Sequence, residues 1–262
     1  MIDLVQNLLD GVMLGATYAL LGLGFTLIFG VMGRLNLAFG PTILVGLYAG
    51  SLVSLARPGS VLLALGATVV GTVLAGLYVE RLCFDALRAH SPIVSLISTF
   101  AVWMQLQELV SLLSVSRTLP FPAIEWVGDV TVGPVFLRGE SLLMWGGATA
   151  LTAVLLVLLY HTRFGRAVRA VSDEPAAASL MGVNVRALGV AAFLLASAVG
   201  AAGGVLIASN LRQVTPYFGL WATSKGLTAM ILGGGGSIPG AVAGGLLLGI
   251  VEVQTLFYLG GQ

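Results

Sequence analysis

Charged residues are scarce in this chain: Asp, Glu, Lys and Arg make up 9% of its 262 residues, against roughly 25% in a soluble domain. With 58% of the residues hydrophobic, so few charges cannot clothe a water-soluble globule. The same richness in apolar residues excludes a disordered chain. Neither sign dominates. Twelve basic and eleven acidic residues leave a net charge of +1, which gives no surplus for binding nucleic acid. Cys83 is the single cysteine, so no internal disulfide framework is available. The two histidines, His90 and His161, lack metal-ligand spacing. There is no Gly-x-Ser-x-Gly elbow. Gly233-Gly-Gly-Gly-Ser237 lacks the lysine of a phosphate-binding loop. We therefore expect no catalytic residue, no metal and no cofactor, and read the chain as a non-enzyme.

What the chain has in abundance is long apolar runs. A bilayer span takes about 20 such residues, and eight candidates fit: roughly 8–30, 37–56, 61–79, 92–115, 141–160, 188–208, 221–236 and 239–259. The runs are continuous rather than alternating, so helices are expected and not a β-barrel. The fold class is thus an all-α polytopic membrane bundle, a single transmembrane domain over 1–262. The seventh run is short and ends in glycines. It is either a full span or a broken helix that turns back inside the bundle. The start of the chain lacks a basic stretch and carries Asp3 and Asp10, so it reads as a permanent first helix rather than a signal peptide. Orientation follows the Lys/Arg bias of the loops. Arg34, Arg81, Arg88, Arg163, Arg166, Arg169 and Arg186 fall on one side, and Arg57, Arg117, Arg138 and Arg212 on the other. The richer side is placed inside, which leaves both termini outside if all eight runs cross.

Two loops are long. In the outer loop, about 116–140, the Ile124–Val127 and Val130–Val132 runs can form a small hairpin. In the inner loop, about 161–187, Arg163, Arg166 and Arg169 recur every third residue and share a broad helical face. That face suits an anionic inner leaflet. A helix start follows: Ser172 or Asp173 as cap, Glu174 at the positive dipole end, and Pro175 in the first turn. Ala177, Ala178 and Met181 continue the helix and Gly182 stops it. So short a helix is marginal alone. It is either a surface connector or a docking helix for a cytoplasmic partner.

Polar residues within spans are functional suspects, because charge in the bilayer is costly. Glu108 follows Gln105 and Gln107 in the fourth run, Lys225 lies in the seventh and Glu252 in the eighth. We place all three in the outer half. A Lys225–Glu108 or a Lys225–Glu252 pair would neutralise two of them. Such a pair either fixes helix register or lines a translocation path. Gly11-x-x-x-Gly15, Gly200-x-x-x-Gly204 and Gly240-x-x-x-Gly244 each permit close helix approach.

Several stretches resemble one family. Leu14–Gly30 is similar to the first helix of the LivH-type permease subunits of branched-chain amino acid ABC importers, part of the hydrophobic amino acid uptake group. Leu35–Gly40, Arg163–Val185, and Lys225 with Leu232–Gly240 also resemble that family's elements. The likeness covers nearly the whole length. Departures are Phe39 where the family has His, Pro41 where Glu is usual, Ala176 in place of Glu, and Glu108 where an amide is frequent.

The resemblance implies a membrane subunit in a bacterial or archaeal inner membrane. Its expected partners are two cytoplasmic ATP-binding subunits, a second related permease and an extracytoplasmic substrate-binding protein. It further implies that the helix around 172–182 couples to the ATPases, with Arg163, Arg166, Arg169, Glu174, Ala177, Ala178, Met181 and Gly182 at that contact. Asn36, Glu108, Lys225 and Glu252 are the expected polar path. The cargo would be a branched-chain or hydrophobic amino acid, or a related solute such as urea, an amide or an aromatic acid. A proton-coupled secondary carrier using Glu108 or Glu252 is the alternative from the residues.

Overall fold

The computed structural model describes residues 2–87, 90–114, 117–124, 128, 130–132 and 135–259. Its elements in chain order are α1 (Ile2–Met32), α2 (Phe39–Ala56), α3 (Val61–Val79), a π-helical turn (Glu80–Asp85), α4 (Pro92–Leu113), β1 (Leu119–Pro120), β2 (Val130–Val132) and β3 (Val135–Leu137). These are followed by α5 (Gly139–His161), α6 (Arg163–Asp173), α7 (Pro175–Leu180), α8 (Val185–Leu211), β4 (Gln213–Val214), α9 (Phe218–Leu232) and α10 (Ile238–Leu259).

Local chemistry sets the helix ends. Pro92 opens α4 where its missing N–H costs nothing. Asn184 caps α8 by accepting from Ala187 N at 3.0 Å, and Thr162 caps α6 by accepting from Gly165 N at 3.2 Å. Gly33, at φ +62, follows the end of α1, and Gly182, at φ +85, follows α7.

Among the described residues, seven helical segments are long and apolar enough to cross a membrane: α1, α2, α3 with its π turn, α4, α5, α8 and α10. The centre of the bundle is α1, 83% of whose span is buried, whereas α3, α4, α5 and α10 are 22–28% buried. The outer helices therefore turn apolar faces outward, including Leu74, Ile97, Val154 and Val251. Antiparallel α1 and α10 touch backbone to backbone. A Cβ on Gly249 would lie 2.4 Å from Gly15 Cα, and one on Gly245 would lie 2.3 Å from Ala19 N.

The seventh run differs from a plain span. α9 has 15 residues, about 22 Å of helix, short of the roughly 30 Å of hydrocarbon. It does not turn back. Trp221 packs on Tyr18 and Gly226 faces Phe25, so α9 runs parallel to α1. Gly235 then reaches Phe29 at the inner end. The chain returns to the inner side, with non-helical backbone over 212–217, including β4, in place of the outer half of a helix. Lys225 is consequently deeper than its sequence position suggested, beside the middle of α1.

Two further expectations are corrected. The first concerns the inner helix start. A proline drives the residue before it out of helical geometry, and Pro175 does this to Glu174. Glu174 is extended at φ −151 and so ends α6 and precedes α7. The break lies there, not at Ser172 or Asp173, and Ser172 Oγ instead bonds back to Val168 O. The second concerns the outer loop, where Val130–Val132 pairs with Val135–Leu137. Residues 125–127, expected to pair with it, lie outside the described residues, as does Arg88. A second antiparallel pair joins β1 to β4, Leu119 opposite Val214.

Candidate functional site

On the inner side, α6 folds back tightly under α5. The turn requires Gly165, where a Cβ would lie 2.0 Å from Leu159 O. Arg169 donates from Nη1 to that same carbonyl and stacks over Tyr160 at 5.1 Å. It thus caps the C-terminal end of α5, where a cation is favoured. Arg163 and Arg166 remain exposed. Of the α7 segment, Ala178 is 5% exposed and anchors it, while Leu180 is 89% and Met181 85% exposed. Glu174, Ala177 and Gly182 are exposed as well. The result is an apolar tip held on a rigid base. Past the tip, Arg186 at the foot of α8 pairs with Asp85 on the π-helical turn. A cavity of about 340 Å³ opens beside this base, lined by Arg34, Phe84, Pro175 and Val185 among others.

At mid-depth, the chain between α1 and α2 climbs back into the bundle. Phe39 packs against Gly24 and Gly200, two turns above the end of α1, so 33–38 is non-helical backbone inside the protein. Its polar groups are met locally. Asn36, 1% exposed, accepts from Ala38 N through Oδ1 at 3.0 Å. Leu37 N donates to Thr99 Oγ1 at 3.4 Å, and Gly40 N donates to Thr223 Oγ1 at 3.2 Å. Asn36 Nδ2 is buried without a partner among the described residues.

Thr223 belongs to α9, and two residues on lies Lys225. Its ammonium pairs with Glu252 of α10 at 2.8 Å, each side chain 23% exposed, and lies 5.5 Å from the Tyr18 ring centre. Of the two pairings foreseen, Lys225–Glu252 is the one formed. Glu108 is exposed on α4, which packs on α2 and the π-helical turn, away from the pair.

Tyr18, Thr223, Gly165 and Glu80 take their places here without being singled out by the sequence pattern. Glu80 is 0% exposed within the π-helical turn. A carboxylate ending an apolar run was the available signal for it, and a lone tyrosine in an apolar span was the signal for Tyr18.

Comparison with known proteins adds the following. Residues 7–261 match the family described as branched-chain amino acid transport system, permease component. The high-affinity branched-chain amino acid transport system permease protein LivH of Escherichia coli K12 is 33% identical over 268 residues, covering 97% of this chain and 87% of its own length. The corresponding protein BraD of Pseudomonas aeruginosa is 30% identical over 270 residues, covering 98% and 88%. A solved structure described as a metal-chelate type ABC transporter in an inward-facing conformation aligns with TM-score 0.52 at 16% identity. It covers 96% of this chain and 75% of that one, and shows a shared fold.

Proposed function

We propose a division of labour for a chain that belongs to the branched-chain amino acid transport permease family. It is a multi-pass permease subunit of an ABC importer for branched-chain amino acids, working in the inner membrane. On our reading the described residues act as one permease unit, paired with a second permease. Two separate cytoplasmic subunits hydrolyse ATP, and an extracytoplasmic binding protein delivers the cargo.

The observation that carries this reading is the α6–α7 platform. An exposed pair of large apolar side chains, Leu180 and Met181, is presented on a six-residue helix that could not persist alone. It is the shape of a knob for a partner's groove. Arg163 and Arg166 flank it with positive charge. Arg169 and Ala178 hold it to the bundle, while Glu174 and Gly182 set its two ends. Closure of the ATPases would push this knob, and the α-helical bundle would rock around a polar path. We assign that path to Asn36, Lys225 and Glu252, with Glu108 on the exposed face of α4. Lys225 and Glu252 meet there as an ion pair.

The test is purification of the tagged chain in mild detergent from its native membranes, followed by reconstitution. Two ATPases and a second permease should co-purify, and ATP should drive uptake of L-leucine. Met181→Asp and Ala177→Asp should uncouple hydrolysis from uptake while the complex elutes normally on size exclusion. Uptake that persists without any ATPase and collapses with the proton gradient would overturn the assignment. Normal coupled uptake in both variants would refute the role given to α7.

A further inference from the structure

A second polar place lies on the outer side, where the path residues do not reach. A cavity of about 350 Å³ opens between the outer half of α1, the start of α5, the end of α8 and Val253 of α10. That is at the lower end of the roughly 300–1,000 Å³ of small-molecule sites. Its wall carries one carboxylate, Asp10, and one guanidinium, Arg138, with the amides of Gln6 and Asn210 beside them. Its floor is apolar, from Met144, which is 5% exposed, and Val253. Asp10 is only loosely engaged: Gln6 Nε2 stands 3.3 and 3.4 Å from its two oxygens, at the long end of hydrogen bonding.

Opposite charges over an apolar floor match one chemical class. A zwitterion with an aliphatic side chain meets both charges and the floor at once. Its ammonium goes to Asp10, its carboxylate to the Arg138 fork, and its side chain to Met144 and Val253. A simple amine would leave Arg138 without its counterpart, and a simple acid would leave Asp10 without one. Leaving a site's polar group unmet is what rejects an analogue strongly. We infer that this cavity is the outer entry site for an aliphatic α-amino acid. The inference rests on the import function proposed above and adds where and how this chain first receives the cargo from the binding protein.

The experiment uses the complete importer in proteoliposomes with Met144→Cys in this chain. The native Cys83 is buried and stays silent toward a membrane-impermeant thiol reagent added outside. Labelling of the introduced thiol is timed with L-leucine, with 4-methylpentanoic acid and with 3-methylbutylamine. The expected result is protection by L-leucine alone. Adding Asp10→Asn or Arg138→Gln should abolish that protection. In the importer with native Met144, each should raise the KM of uptake by about tenfold or more, as loss of a charge-assisted contact would. Arg117→Gln, outside the cavity, should leave KM unchanged.

Absence of labelling would show the cavity closed to the outside and overturn the inference. Equal protection by all three compounds would reduce the site to an apolar pocket, which also overturns it. Unaltered labelling in an importer that still takes up L-leucine refutes the entry site and spares the import function. Failure of the unmodified importer to take up L-leucine with ATP refutes the import function itself.

Discussion

Replacing Gly40 with alanine probes the tightest junction at mid-depth. A Cβ there would lie 2.0 Å from Gly219 O, 2.3 Å from Thr223 Oγ1 and 2.8 Å from Thr223 N. Ordinary contact begins at 3.4 Å, so the starts of α2 and α9 must part by about 1.4 Å. The nearest obstacle is a backbone carbonyl and cannot rotate away. Parting also stretches the Gly40 N–Thr223 Oγ1 bond, now 3.2 Å, beyond useful range. Overpacking costs about 1–3 kcal/mol, and the lost hydrogen bond about 1 kcal/mol. A chain of this size shifts by about 2–4 °C per kcal/mol, so the apparent Tm in detergent should fall by roughly 5–15 °C. Size exclusion after graded heating reads this out. Gly66→Ala is the control, because nothing lies within 4 Å of its Cβ position. Its effect should be nil or a slight gain, since alanine is the better helix former. Equal melting of the two variants would refute the claim that α2 and α9 are in backbone contact. Thr223→Ala added to Gly40→Ala should not rescue, because Gly219 O still stands in the way.

Three other outcomes follow from the geometry. Lys225→Met should destabilise by about 3–5 kcal/mol, the cost of stranding a carboxylate in the bundle, and adding Glu252→Gln should recover part of it; a double-mutant cycle on detergent melting checks both, and strict additivity would refute the pairing. Arg186→Gln should leave the melting temperature nearly unchanged, because the Arg186 side chain is 67% exposed and such pairs are weak; a large loss in the same melting assay would refute that reading of the contact. Thr162→Ala removes the cap of α6 and should cost about 1 kcal/mol, seen as faster proteolysis of the 162–182 segment at unchanged cleavage elsewhere.

The spans and the inner platform were legible because each has a physical requirement that writes itself into composition. Lipid demands long apolar runs, and Pro175 followed by small residues and Gly182 announces a short helix. Lys225 and Glu252 were legible as a pair of opposite charges in the bilayer. Glu108 looked equivalent by the same rule, and only tertiary placement separates it. The depth at which α9 begins was not legible. The 212–217 segment is bounded by apolar residues on both sides, and hydropathy does not record whether a stretch is coiled or helical. Gly165 was hidden for a related reason: its necessity comes from Leu159 O in the preceding helix. Phe39, a departure from the family pattern, finds its room under Gly24 and Gly200 and stacks edge-on against Phe25 at 4.8 Å. Gly24 and Gly200 are thus what allows a phenyl ring at the break.

Irregular backbone at membrane depth persists only where protein or water meets its polar groups. For 33–40 those partners are Thr99 of α4 and Thr223 of α9, so the break between α1 and α2 is held from two sides by other helices. Thr223 stands two residues from Lys225, whose partner Glu252 is on α10. The turn between α9 and α10 carries Gly236 and Ser237 into an inner cavity that Arg169 and Ser172 of α6 also line. One short helix therefore touches the break, the ion pair and the neighbourhood of the platform. α9 is in backbone contact with α2, where a Cβ on Gly40 would meet Gly219 O, and with α10, where a Cβ on Gly244 would meet Ala229 O, so any displacement that reaches α9 passes on to both long helices.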